Sequence, residues 1–176
     1  MAPKIVEGKD VSKRYIKKLS IEGTLLDYPI IHFACHGFFD DNLTPQAALV
    51  LSEASGLLSK ESKEDGYLSI EDIALLQLNA KMVMLSACQT GLGQLRRGDG
   101  MTGLARSFMV AGANNVGVSL WEIDDEATSE FMWNVYSKVI HKKMNFRDAY
   151  REVKEEFRNS TMWNHPFYWA AFTMYE

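Results

Sequence analysis

The sequence predicts an α/β fold, a mostly parallel sheet with helices on both faces. Two mostly apolar runs, Ile30–Cys35 and Met82–Ala87, each lead straight into small and glycine residues, His36-Gly37 and Cys88-Gln89-Thr90-Gly91. Strand-like segments alternate with helical patterns along the chain, the signature of a covered parallel sheet. At 176 residues the chain is long enough to bury a core without disulfides or metals.

The elements follow in order. Val11, Tyr15 and Leu19 recur every four residues, so a helix starts the chain, capped by Asp10 or Ser12. Ile30–Cys35 reads as a buried strand, and Ala47–Leu51 as a short one in a hairpin. The polar stretch 52–66 reads as a loop. Ser69–Asp72 has the form of a capping box and leads a helix into Ile73–Leu78. Met82–Ala87 is a strand and Gly91–Gly100 a glycine-rich loop. Thr102–Ala111 is a helix stopped by Gly112, and Val116–Trp121 is the next strand. Asp124 and Asp125 suit the positive end of a helix running to about His141. Phe146, Ala149, Val153 and Phe157 mark one stripe of a further helix, and an aromatic strand, Phe167–Tyr175, closes the chain.

Composition narrows the function. A net charge of −4, with Arg96-Arg97 followed at once by Asp99, argues against the clustered basic footprint of nucleic-acid binding. No run approaches the ~20 apolar residues of a membrane span, and the N-terminus has no signal-peptide pattern. Both cysteines sit at predicted strand ends, which disfavours a disulfide framework and points to the cytoplasm.

In an open α/β sheet, ligands and chemistry gather at the carboxyl ends of the strands. A thiol at Cys88 and an imidazole at His36, delivered there by two strands, are placed to form a nucleophile–base pair. Each has a plainer reading: most free cysteines are small core residues. Cys35 keeps that reading. His32 and His36 have the His-x-x-x-His spacing of helical zinc sites, but four residues of strand span roughly 13 Å, so no metal site or cofactor is expected. The glycines at 91, 93, 98 and 100 lack the Lys-Ser/Thr of a phosphate loop and are read as lining a cleft.

The motifs carry a family resemblance. His32-Phe33-Ala34-Cys35-His36-Gly37, Leu85-Ser86-Ala87-Cys88-Gln89-Thr90-Gly91-Leu92-Gly93, Gly98-Asp99-Gly100-Met101-Thr102-Gly103-Leu104, Ser119-Leu120-Trp121 and Trp169-Ala170-Ala171-Phe172 resemble those of CHAT domains. CHAT domains are caspase-like cysteine peptidases related to separases and often joined to TPR repeats in bacteria. The interval from His36 to Cys88 also matches the caspase spacing of about 50 residues.

The resemblance implies one caspase-like peptidase domain over 1–176, forming the C-terminal part of a larger domain or protein and short of an N-terminal edge segment. Asp99 stands where the family more often has Glu. His36 and Cys88 are the implied catalytic residues, and the backbone N–H groups of Gly37 and Cys88 the oxyanion donors. Ser86, Ser119, Trp121, Asp124 and Asp125 are the implied substrate-binding set. Caspases place arginines there; the acidic residues here favour a basic residue before the scissile bond. The expected partners are a protein substrate and TPR repeats or a regulatory chain. The alternative readings are a catalytically silent, partner-binding or scaffold module, and a thiol hydrolase other than a peptidase.

Overall fold

The computed structural model describes residues 4–39, 47–52, 66–86 and 97–176. Side-chain caps start several of its helices. Of the two predicted caps of α1 (Lys13–Ile21), Ser12 serves: its hydroxyl oxygen accepts from the Tyr15 N–H at 3.1 Å. Both halves of the Ser69/Asp72 capping box open α2 (Ile70–Ala74). This helix ends short of the predicted Leu78: the Leu75 and Leu76 N–H groups turn back three residues to the Asp72 and Ile73 carbonyls, and tertiary partners take the two donors after them. The Gln77 N–H donates to the Ser20 hydroxyl at 2.8 Å, and the Leu78 N–H to the Ala111 carbonyl at 2.8 Å.

α3 (Arg97–Val110) begins inside the segment read as a loop to Gly100. A helical glycine costs about 1 kcal/mol, but helix growth is cooperative and the following turns bury Leu104, Ala105 and Phe108 completely. α4 (Asp125–His141) is capped by Asp124, and α5 (Phe146–Arg158) by Asn145.

The strands form two sheets rather than one. β1 (Ile30–Phe33), β5 (Met82–Leu85), β6 (Val116–Ser119) and β7 (Phe172–Tyr175) make a sheet in the order β1-β5-β6-β7. Its first three strands are parallel and β7 is antiparallel to β6. β2 (His36–Phe39), β3 (Ala47–Val50) and β4 (Tyr67–Ser69) form a separate antiparallel sheet. The predicted strand Ile30–Cys35 is thus shorter: β1 stops at Phe33, and from His36 the chain pairs with β3 instead. The hairpin expected around Ala47 is present, with β4 added. The aromatic stretch from Phe167 is divided too. Pro166, at a position where its missing N–H costs nothing, starts the short helix α6 (Pro166–Trp169), and only Phe172–Tyr175 is strand.

β5 shows why helices cover both faces. All four of its residues are buried, and alternate side chains point opposite ways. Val83 and Leu85 join a core with Leu104 and Phe108 of α3. Met82 and Met84 join a second core with Phe131 of α4 and Tyr150 of α5. Phe131 stacks on Phe172 at 4.0 Å between centroids and meets Tyr150 edge-on at 5.6 Å. The fold is caspase-like: a mostly parallel sheet between two helical layers. No helix among the described residues is long and apolar enough to cross a membrane.

Candidate active site

Register fixes where the two predicted catalytic segments leave the sheet. β1 and β5 are parallel neighbours whose last registered pair is Phe33 with Leu85. His36 follows Phe33 by three residues and Cys88 follows Leu85 by three. Both segments therefore depart at the same end of the sheet, from adjacent strands. Cys88 itself lies outside the described residues, as do 53–65 and the remainder of 87–96.

His36 opens β2 opposite Val50 and is exposed to solvent. Gly37 is buried next to it, opposite Leu49. Cys35 lies between β1 and β2, outside both strands. It is a half-buried free thiol packed against the α3-side core, and burial pushes its pKa up to about 12. It stays protonated at neutral pH, as a structural cysteine should.

The predicted substrate-binding residues fall at the same end of the sheet, around the ends of β5 and β6. Ser86 is the first residue beyond β5, and its N–H donates to the Phe33 carbonyl at 3.1 Å. Ser119 is buried, and its hydroxyl donates to the Trp121 carbonyl at 2.7 Å. The Trp121 indole N–H donates to the Phe167 carbonyl at 3.0 Å. Asp124 is engaged in helix capping, accepting from the N–H groups of Glu126 at 3.0 Å and Ala127 at 3.2 Å. Asp125, in the first turn of α4, is exposed, as are Glu122 and Glu126. Among the described residues, an open groove of about 490 Å³ lies elsewhere, along α1 beside Lys9, Tyr15 and Lys18.

The structure adds two residues that the sequence reading missed. His32 Nε2 is joined to the Ser86 hydroxyl at 2.8 Å, and His32 Nδ1 to the Tyr136 hydroxyl at 3.0 Å. His32 retains solvent exposure, yet the protein packed around the ring disfavours the cation and lowers its pKa to about 4. His32 is neutral at pH 7. Burial likewise raises the Tyr136 phenol above its ordinary value, so it remains a donor. A histidine within the apolar run Ile30–Phe33 was the one available signal; Tyr136 lies 104 residues away and gave none. Among the described residues no group of three or more His, Cys, Asp or Glu side chains gathers to hold a metal ion.

Residues 3–176 match the model of the CHAT domain. Tetratricopeptide repeat protein 28 of Mus musculus is 32% identical over 107 residues, 61% of this chain. The Homo sapiens protein of the same name is also 32% identical over 107 residues. The chain spans 4% of the length of each of these relatives.

Proposed function

The chain belongs to the CHAT domain family, and on that premise we propose that it is a cysteine endopeptidase cleaving a protein substrate through Cys88 and His36. The observation that carries this reading is the register of β1 and β5, with His36 and Cys88 each three residues beyond the pair Phe33–Leu85. In this mechanism the Cys88 thiolate attacks the scissile carbonyl and forms an acyl-enzyme. The N–H groups of Gly37 and Cys88 bind the oxyanion. His36 gives its proton to the leaving amine, then takes one from the water that releases the acyl group. Glu122, Asp125 and Glu126, all exposed just beyond β6, favour a Lys or Arg before the scissile bond.

The test is a mixed peptide pool incubated with the full chain, with products identified by mass spectrometry. Cuts after Lys or Arg, absent with Cys88→Ala, are the expected result. An intact pool refutes the peptidase reading.

One observation favours a second reading, a catalytically silent module that binds a partner. Trp133 and Ile140, one heptad apart on α4, are 72% and 50% exposed. The relatives' name, a tetratricopeptide repeat protein, supports a repeat-containing partner or neighbour in either reading. Binding without any cleavage would select this second reading.

A further inference from the structure

We infer that His32 is a positioning residue of the candidate site, fixing the substrate-binding residue Ser86 at the end of β5; this rests on the peptidase reading above. Ser86 is held to β1 twice, by its N–H on the Phe33 carbonyl at 3.1 Å and by its hydroxyl on His32 Nε2 at 2.8 Å. The imidazole is held in turn. Tyr136 binds Nδ1 at 3.0 Å, and the two rings meet edge-on at 5.9 Å between centroids. Tyr136 belongs to α4, whose Phe131 and Val135 are fully buried in the second core. A chain of three side chains therefore runs from the rigid core of α4 to the residue two positions before Cys88.

The polarity of this chain argues for a role beyond packing. On the same face of the sheet, β5 presents Met82 and Met84, and an apolar side chain at position 32 would fit that surface without desolvating a ring nitrogen. A hydroxyl has one donor and two acceptor sites, so Ser86 keeps capacity for a substrate bond after binding His32. Misplacing a substrate-binding group by about 1 Å costs on the order of 100-fold in rate.

The test compares labelling of Cys88 by two electrophiles in the full chain. One is a peptidyl reagent with Lys next to the reactive group; the other is iodoacetamide, which needs no subsite. His32→Ala and Ser86→Ala should each slow peptidyl labelling by at least about tenfold, with the double variant no slower than the worse single one. His32→Gln, whose amide nitrogen extends to about the reach of Nε2, should restore part of the rate. Iodoacetamide rates and melting midpoints should stay near those of the unmodified chain. Normal peptidyl labelling of His32→Ala overturns the inference alone. So does a double variant in which the two losses multiply, or a parallel fall with both reagents. If the unmodified chain takes no peptidyl label, the peptidase reading fails and this inference falls with it.

Discussion

Gly117→Ala tests the packing that holds β6, the strand that delivers Ser119 and Trp121. A Cβ at Gly117 would lie 2.4 Å from Tyr150 Oη and 2.7 Å from both Met82 Cε and Met84 Sδ. The methionine ends are flexible and can turn aside. The phenol cannot, because its ring is wedged edge-on against Phe131 and its hydroxyl donates to Met84 Sδ at 3.0 Å. Overpacking a core by one methyl costs about 1–3 kcal/mol, and freeing a buried hydroxyl from its partner about 1–3 kcal/mol more. We expect a loss of about 2–6 kcal/mol in urea unfolding, or roughly 4–24 °C in melting midpoint for a chain of this size. Tyr150→Phe removes the clashing oxygen at the cost of a weak O–H to sulfur bond, about 1 kcal/mol. The double variant should therefore be more stable than the sum of the single losses by at least about 1 kcal/mol. Additive losses, or a Gly117→Ala variant as stable as the original, would show that Tyr150 does not fill the space facing Gly117.

Three further outcomes are expected. His36→Ala and Cys88→Ala should each cut peptide hydrolysis by at least about 1,000-fold, and His36→Ala should leave the circular dichroism spectrum unchanged because His36 is exposed; activity above a few per cent in either would remove the dyad. Burial works against ionisation of Asp72, but its bonds to Lys13 at 2.7 Å and Lys17 at 2.6 Å outweigh it, so its pKa is lowered below the ordinary 3.8. That stabilisation is present above pH 3.8 and lost as pH falls through the lowered value; in urea titrations from pH 6 to 3, Asp72→Asn should lose about 1 kcal/mol at pH 6 and show a shallower acid decline, and parallel curves would contradict the pairing. Asp125→Asn should reduce the preference for Lys and Arg over a neutral residue by about 1–3 kcal/mol, read as the ratio of kcat/KM values, while turnover of the neutral substrate holds; an unchanged ratio would place the selectivity elsewhere.

Local chemistry was readable from the sequence wherever the determinant was local. Ser12, the Ser69/Asp72 box and Asp124 start helices because each side chain reaches an N–H only two or three residues on. The apolar runs of β5 and β6 marked buried strands because burial on both faces leaves no polar alternation, whereas the similar run of β1, read as buried, is an edge strand with only Phe33 buried. The order of the motifs around His36 and Cys88 was likewise enough for the CHAT domain family. Tertiary structure decided the rest, because the deciding partners lie far along the chain. β1 ends at Phe33 since His36 pairs with Val50 in another sheet, and α2 stops short of Leu78 since Ser20 and Ala111 claim the Gln77 and Leu78 donors. Gly98 and Gly100, read as loop, are helical within α3, whose following turns bury Leu104 and Phe108. His32 gains its place in the site only because β1–β5 pairing sets it beside Ser86, 54 residues on, and α4 brings Tyr136 from 104 residues away. Spacing along a strand reports which residues share a face, but not which helix will cover it.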